Sequence, residues 1–196
     1  MDVDVLSKVG QPTAVELNEV AATHWSARRL NRRDRAWVVV GNGVDAEDAI
    51  VCGDSGSTTI WFNNIARLNG KQRFIWSANL ATLGGGMPQA IGASFAAPDR
   101  QVVMIAGDGG FQMSIQDLVT AAMYERPIKC FILNNGCYRF IEFEEASHDG
   151  NVAAGTKFLN PDYAALAEAC FCKGISVGEY DELIPAIEAA FAHDGP

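Results

Sequence analysis

The sequence has no excess of basic residues. Its 196 residues carry a formal net charge of −9 at pH 7, whereas a protein that binds a nucleic-acid backbone needs clustered lysine and arginine. The basic cluster at residues 28–35 is mixed with asparagine and aspartate and is typical of a solvated helix end. We therefore predict no nucleic-acid partner.

Long hydrophobic runs are also absent. A membrane-spanning helix needs about 20 consecutive apolar residues, and the acidic start of the chain differs from the basic start of a signal peptide. Nearly half of the residues are nevertheless hydrophobic, which excludes a disordered chain and provides a substantial core for one domain. We expect no membrane segment and a cytoplasmic location.

The cysteines lack the paired spacing of a metal site, and several of them lie inside apolar runs. Cysteines of this kind are usually reduced core residues of a cytosolic protein. We therefore predict free thiols at all five positions: Cys52, Cys130, Cys137, Cys170 and Cys172.

From Asp48 onward, strand signals alternate with helix signals, the pattern of a parallel sheet. We predict an α/β fold, a three-layer sandwich with a mostly parallel central sheet and helices on both faces. The predicted strands are 48–56, 101–106, 128–133 and 174–180, and the predicted helices are 57–68, 89–97 after Pro88, 114–124, 161–171 and 181–192.

Side-chain patterns within these elements add finer expectations. Helix 114–124 has an apolar stripe that should face the sheet, and Asp181 is placed to cap the last helix. The stripe consists of Ile115, Leu118, Val119 and Ala122, and the aromatic residues expected in the core are Trp61, Phe62, Trp76 and Phe95.

Residues 136–158 are polar and lack a clear period, so we expect a long connection that is partly helical near 138–144. Within it, His148 is predicted to be a solvated loop histidine. The acidic cluster of Glu142, Glu144 and Glu145 is predicted to be an exposed helix face.

The two ends of the chain have weaker sequence signals than its middle. Residues 1–47 form a poorly defined segment with a helix signal at 14–30 and a short strand signal at 36–43, and residues 48–196 form the predicted domain. The chain stops after HDGP, where an α/β domain usually continues into a last strand. We therefore expect a piece of a longer chain.

Two polar turns follow the predicted central strands. The first is GDGG, residues 107–110, and the second contains Asn134 and Asn135. If the strands are neighbours, these groups emerge together at the carboxyl edge of the sheet, where ligands bind in α/β proteins. Aspartate and asparagine oxygens suit Mg²⁺, and glycines let the backbone approach a phosphate. Each turn alone is equally typical of ordinary turn chemistry.

Together, the two turns resemble the diphosphate-binding domain of thiamine-diphosphate enzymes, whose signature is GDG, about two dozen residues, and then NN. The segment ATLGGGMPQAIGASFAAPDRQVVMIAGDGGFQM is similar to the same region of pyruvate oxidases and acetolactate synthases. DSGSTTIW, NGK and MPQAIGA favour the pyruvate oxidase branch. The resemblance covers about residues 48–196.

The resemblance implies a role for each matching residue around thiamine diphosphate. Mg²⁺ would be bound by the side chains of Asp108 and Asn135 and by the backbone carbonyl of Cys137. The diphosphate would be contacted by the backbone N–H groups of Gly109 and Gly110 in the GDGG turn, and Gly107 also belongs to the cofactor-binding set.

A second loop would lie beneath the bent cofactor. The carbonyl of Ala81, followed by Thr82, would accept a hydrogen bond from the aminopyrimidine, and Leu83 would wedge between the two rings. Leu83 also fits plain core packing. Ser57 and Thr58 match a segment that touches the diphosphate, although a helix cap explains them equally well.

Two positions depart from the family pattern. Arg139 stands where the family often has a small residue or glycine after an aromatic residue. This substitution could alter the edge of the diphosphate site or the polar connection at 136–158. Ala81 replaces a common glycine, which should matter less if only its carbonyl is used. Neither departure affects the predicted metal ligands.

The resemblance implies that the parent enzyme decarboxylates pyruvate or a similar 2-oxo acid. The glutamate that activates the cofactor lies on a separate pyrimidine-binding domain in this family, so we expect no catalytic residue in this chain and no turnover by it alone. That domain, in a homodimer or tetramer or on a partner subunit, would complete the site. FAD, where the full-length enzyme uses it, would bind to another domain.

Two alternatives remain. The chain could be one subunit of a split thiamine-diphosphate decarboxylase or oxidoreductase, with the glutamate on a partner polypeptide. It could also be a degenerate, non-catalytic α/β binding module that has kept the fold and lost the cofactor.

Overall fold

The computed structural model describes residues 46–66, 68–150 and 154–196. The helix signal at 14–30, the strand signal at 36–43 and the basic cluster at 28–35 lie outside these ranges.

Four parallel strands form the sheet in the described part of the chain. They are β1 (Ile50–Gly53), β2 (Arg73–Ile75), β3 (Val102–Gly107) and β4 (Lys129–Leu133). Their order is β2-β1-β3-β4, and each neighbouring pair is parallel. The central strands β1 and β3 are almost wholly buried, which explains their continuous hydrophobic sequences.

Seven α-helices accompany this sheet in the described ranges. They are α1 (Ser57–Ile65), α2 (Gly86–Ala96), α3 (Asp108–Phe111), α4 (Asp117–Met123), α5 (Arg139–Asp149), α6 (Tyr163–Ala169) and α7 (Leu183–Ala192). Each helix of the described ranges is too short or too polar to cross a membrane.

Alternate side chains of the strands form two cores, one on each face of the sheet. On one face, Val51 and Val103 pack with Trp61, Phe62 and Ile187, which belong to α1 and α7. The other face buries a second cluster from β1 and β3 together with α2 and α4: Cys52, Met104, Met87, Ala90 and Leu118. The predicted α/β sandwich, with helices on both faces, is confirmed.

The predicted strand at 174–180 is wrong. Residues 173–178 have no regular structure, and the side chains of Ile175 and Val177 are exposed. A strand needs a neighbour, and β4 pairs only with β3 among the described residues. Without a ladder partner in the described ranges, this apolar run remains an irregular surface segment.

The predicted cap at Asp181 is also wrong. A short 3-10 turn (Tyr180–Glu182) precedes α7, and the N-cap residue is Glu182, which makes no side-chain cap hydrogen bond to the helix. The Glu182 carboxylate accepts hydrogen bonds from the N–H groups of Gly178 and Glu179, at 2.9 and 3.0 Å. These bonds lower the pKa of Glu182.

Two apolar side chains that were expected to be buried are exposed. Val119 lies outside the sheet-facing stripe of α4 because Ala121 takes the buried position beside Leu118. Phe95 is 50% exposed, and its ring packs edge-on against Tyr124 and beneath Arg126. Trp61 and Phe62 are buried as predicted, and Trp76 is half-buried.

Helix α5 is longer than expected and does not present a uniformly exposed acidic face. Glu142 is only 5% exposed, because its carboxylate pairs with Arg139 at 2.8 Å and accepts a hydrogen bond from Thr156 at 3.3 Å. Glu144 is exposed and Glu145 is half-buried. His148 is exposed as expected but belongs to the last turn of α5 rather than to a loop.

All five cysteines are free, as predicted. Cys52 lies in β1 and Cys130 in β4, and burial raises the pKa of each thiol to about 12. Since only the thiolate is nucleophilic, these two groups should be chemically inert in the folded chain.

We therefore expect Cys52 and Cys130 to resist a thiol-specific reagent at pH 8, where about one in ten thousand of such thiols is ionised. Mass spectrometry of peptides labelled before and after urea denaturation measures this directly. Both residues should be modified only after unfolding. Rapid labelling of either thiol in the native chain would contradict the raised pKa values, and for Cys52 also its fully buried position, whereas Cys130 is half-buried.

Candidate functional site

The two polar turns lie side by side at the carboxyl edge of the sheet. Gly107, the last residue of β3, is in register with Leu133, the last residue of β4. Asp108 and Asn134 therefore leave neighbouring strands at the same level, as the sequence predicted. Asp108 begins the one-turn helix α3 and is only 1% exposed.

The Asp108 carboxylate is held mainly by backbone N–H groups. Its Oδ2 accepts from the N–H groups of Asn135 at 2.9 Å and Gly136 at 2.5 Å, and its Oδ1 accepts from Gly109 at 2.9 Å. None of the ion pairs among the described residues includes it. Oriented peptide dipoles rather than cationic side chains thus stabilise this buried charge.

The other two predicted metal ligands adjoin Asp108. The side-chain oxygen of Asn135 accepts from the N–H of Cys137 at 2.9 Å, and the carbonyl of Cys137 accepts from the N–H of Arg139 at 2.9 Å. In the described ranges, no group of three or more His, Cys, Asp and Glu residues could hold a metal. The available donor set is therefore one carboxylate with neutral amide and carbonyl oxygens, a kind of set that suits Mg²⁺.

Asn160 is a site residue that the sequence reasoning missed. Its amide donates to Asp108 Oδ2 and to the Asn134 side chain, at 2.7 Å each. Its oxygen accepts from the side chains of Gln112 and Tyr163, at 2.6 and 2.9 Å. Asn160 lies far from Asp108 along the chain, so no local spacing could have indicated the contact.

Two aromatic rings cover the GDGG turn. Tyr138 and Phe158 pack against each other with their centroids 4.7 Å apart. A Cβ added to Gly109 would overlap the Tyr138 ring and would lie 2.9 Å from the Phe158 ring. Gly109 is therefore required for the rings to approach the backbone.

The loop before α2 reaches the same turn. Leu83 is half-buried, and its Cδ1 lies 3.1 Å from the place of a Cβ on Gly110. Ala81 and Thr82 are exposed, and the Thr82 hydroxyl accepts a hydrogen bond from Ser77 at 3.1 Å. The structure thus brings Leu83 to the GDGG turn and leaves the two preceding residues at the surface.

The interpretation of Ser57 and Thr58 as helix caps is wrong. Helix α1 is preceded by Gly56 and has no side-chain cap hydrogen bond. The Thr58 hydroxyl donates to the Asp54 carbonyl at 3.1 Å, and its methyl lies 3.5 Å from the place of a Cβ on Gly107. Thr58 therefore contacts the GDGG turn, and Ser57 begins the helix beside it.

Comparison with known proteins agrees with this geometry. The sequence model for "Thiamine pyrophosphate enzyme, C-terminal TPP binding domain" matches residues 54–196. The chain belongs to this family. Thiamine pyrophosphate is the same compound as thiamine diphosphate, so the recognition based on GDG and NN is confirmed, and the chain is the thiamine-diphosphate-binding domain of a thiamine-diphosphate enzyme.

Several relatives share about three quarters of the chain. The protein YdaP of Bacillus subtilis, which is named as thiamine pyrophosphate-containing, is 46% identical over 151 residues, covering 77% of this chain and 26% of its own length. An acetolactate synthase large subunit of Parasynechococcus marenigrum is 40% identical over 154 residues, covering 77% and 25%. A pyruvate oxidase of Lactiplantibacillus plantarum is 33% identical over 151 residues, covering 77% and 25%.

A solved structure has the same fold. The thiamine diphosphate-dependent 4-hydroxybenzoylformate decarboxylase of Rhodococcus jostii RHA1 superposes with a TM-score of 0.73 and 32% identity, covering 85% of this chain and 31% of that one. The chain thus spans about a quarter to a third of the length of these relatives.

The backbone of Ala81 has a conformation that favours glycine. Its φ of +46° lies in the left-handed region, which costs an L-residue other than glycine about 1–2 kcal/mol. The departure from the family pattern therefore affects backbone strain, even if only the carbonyl takes part in binding.

We expect Ala81→Gly to raise the free energy of unfolding by about 0.5–1 kcal/mol, because relief of this strain exceeds the entropy that glycine adds to the unfolded chain. Ala189→Gly, at an exposed position within α7, is the matched control and should lower it by about 1 kcal/mol. Urea denaturation measures both. A loss of stability in Ala81→Gly equal to that of the control would contradict the left-handed backbone.

Proposed function

We propose that residues 48–196 bind the diphosphate and Mg²⁺ of the cofactor in an enzyme that decarboxylates pyruvate or a similar 2-oxo acid. The observation that carries the proposal is the meeting of Asp108, Asn135 and Cys137 at the end of β3 and β4. These residues supply three oxygens of kinds that bind Mg²⁺: a carboxylate, a side-chain amide and a backbone carbonyl.

Two of the three ligand atoms have a free lone pair for a cation, and the third, Asn135 Oδ1, would exchange its weak bond from the Cys137 thiol at 3.2 Å. Asp108 Oδ1 and the Cys137 carbonyl each accept one of the hydrogen bonds described above, and an sp² oxygen has two lone pairs. The Asn135 side-chain oxygen would be the third protein ligand. The protein carries a net charge of −9, so the cation would supply the positive charge that a diphosphate needs.

The remaining residues would orient the cofactor. Backbone N–H groups of Gly109 and Gly110 would contact the diphosphate, with Gly107, Ser57 and Thr58 beside it. The Gly109 N–H would then exchange its present hydrogen bond to Asp108 Oδ1. Leu83 would support the rings, and the Ala81 carbonyl, followed by Thr82, would accept from the aminopyrimidine. Bound thiamine diphosphate supplies the carbanion chemistry of decarboxylation, while the protein supplies binding and orientation.

The names of the relatives support the substrate class. Acetolactate synthase and pyruvate oxidase are both among them, and this chain corresponds to about a quarter of their length. We assign the activating glutamate to a pyrimidine-binding domain outside this chain, in a homo-oligomer or on a partner subunit. FAD, if the whole enzyme uses it, would bind elsewhere.

Isothermal titration calorimetry tests the cofactor site. The 196-residue chain should bind thiamine diphosphate with Mg²⁺ and lose that binding in EDTA. Asp108→Asn keeps the size of the side chain and removes its charge, so the Mg²⁺-dependent affinity should fall at least tenfold. The exposed Asp181→Asn is the control and should bind like the wild type. Binding by the wild type that is unchanged in EDTA would contradict the Mg²⁺ assignment, and no binding at all would favour the degenerate module.

The second test concerns turnover. With pyruvate, thiamine diphosphate and Mg²⁺, the isolated chain should release no CO₂ above the cofactor-only background, because the activating glutamate is assigned to another domain. A CO₂-release assay measures this, with an intact pyruvate-decarboxylating enzyme as the positive control. Release by the isolated chain would show that the activating group lies within these 196 residues.

A further inference from the structure

A second buried carboxylate lies at the carboxyl edge of the sheet, outside the predicted ligand set. Asp54 directly follows β1 and is only 1% exposed. Its Oδ1 accepts from the N–H groups of Ser55 at 2.8 Å, Gly84 at 2.9 Å and Gly85 at 3.2 Å. Its Oδ2 lies 3.1 Å from the N–H of Gly84. Two of these three donors belong to the loop that precedes α2.

The same carboxylate contacts the GDGG turn. A Cβ added to Gly110 would overlap Asp54 Oδ2 and would lie 3.0 Å from Asp54 Cγ. A Cβ on Gly86 would lie 3.1 Å from Asp54 Cβ. The carboxylate therefore fills the space between the loop and the turn, and glycine on both sides makes this approach possible.

The backbone of Asp54 is fixed independently of its side chain. Its N–H donates to the carbonyl of Ile105 in β3 at 2.9 Å, and its own carbonyl accepts from the hydroxyls of Thr58 and Thr59. The carboxylate thus projects from a rigid strand end, and its position does not depend on the loop that it holds.

The Asp54 carboxylate is stabilised by hydrogen bonds from N–H groups, which makes it suited to holding a loop rather than to apolar packing. None of the ion pairs among the described residues includes Asp54. Burial raises the pKa of its carboxyl, and hydrogen bonds from the N–H groups of Ser55, Gly84 and Gly85 and from Gly86, the first residue of α2, oppose that rise. A buried charge satisfied by N–H donors binds them more strongly than a neutral acceptor does.

We propose that Asp54 is a positioning residue that fixes residues 81–86 against the GDGG turn and thereby places Leu83 and the Ala81 carbonyl for the cofactor. The effect on cofactor binding rests on the proposed function. The contact between carboxylate and loop is a property of the chain without cofactor and can be tested separately.

Asp54→Asn is the sharpest variant because it keeps the size of the side chain. A carboxamide has one oxygen, and its NH₂ group would face N–H donors that the carboxylate accepts. Asp54 belongs to neither apolar core. We therefore expect Asp54→Asn to loosen residues 81–86 and to leave the two cores intact. Asp99→Asn, in the exposed turn after α2, is the matched control.

The experiment measures amide hydrogen exchange by NMR in the cofactor-free 196-residue chain, and thiamine diphosphate affinity with Mg²⁺ by calorimetry. In Asp54→Asn, protection of the Gly84 and Gly85 amides should fall at least tenfold, while the amides of Val103 and Met104 in β3 remain protected. Cofactor affinity should fall about tenfold, equivalent to about 1.4 kcal/mol. Asp99→Asn should change neither quantity.

Three results would overturn the inference. They are fast exchange of Gly84 and Gly85 in the wild type, unchanged protection of both amides in Asp54→Asn, or unchanged cofactor affinity despite their loss of protection. If Asp54→Asn fails to fold, Gly110→Ala replaces it, since the added methyl would displace the carboxylate and should give the same local loss of protection. A wild-type chain that binds no cofactor would overturn the proposed function, and the amide measurement would still decide whether Asp54 holds the loop.

Discussion

Hydrogen bonds from backbone N–H groups to two buried carboxylates hold the candidate site together. Asp54 leaves β1 and Asp108 leaves β3, and these strands are parallel neighbours. One carboxylate ties the loop before α2 to the sheet edge, and the other ties the turn after β4 to it. The parallel sheet thus brings distant loops to one place, and the carboxylates fix their separation.

Backbone N–H groups can stabilise buried carboxylates in an acidic protein without cationic side chains. With a net charge of −9, the chain has few cations to spare for pairing buried carboxylates. N–H groups of glycine-rich turns stabilise them instead, and glycine allows the close approach that such bonds need. The geometry leaves Asp108 as an anion without an ion-pair partner among the described residues. Such an anion is suited to a divalent cation that also binds a diphosphate.

The sequence predicted the elements whose signal is local. Continuous apolar runs gave β1, β3 and β4, and the polar residues at their ends indicated where Asp108 and Asn135 would meet. The sequence-based predictions failed where contacts with residues far along the chain determine whether a side chain is buried. Glu142 is buried because Arg139 and Thr156 satisfy its carboxylate, and Asn160 reaches Asp108 from the irregular segment before α6. The apolar run at 174–180 has a strand composition, but no strand of the described ranges pairs with it.

Burial decreases across the site from the proposed diphosphate end to the proposed ring end. Asp108 is buried and Leu83 is half-buried, whereas Thr82 and Ala81 are exposed and Leu80 is 86% exposed. Exposed loop residues cannot by themselves exclude water from the rings of a bound cofactor. Electrostatic and hydrogen-bonding interactions weaken where water competes for them. In the proposed function, the rings would therefore need a second surface, from the domain that carries the activating glutamate. The loop fixed by Asp54 would then be the boundary between the part of the site that this chain builds and the part that it shares.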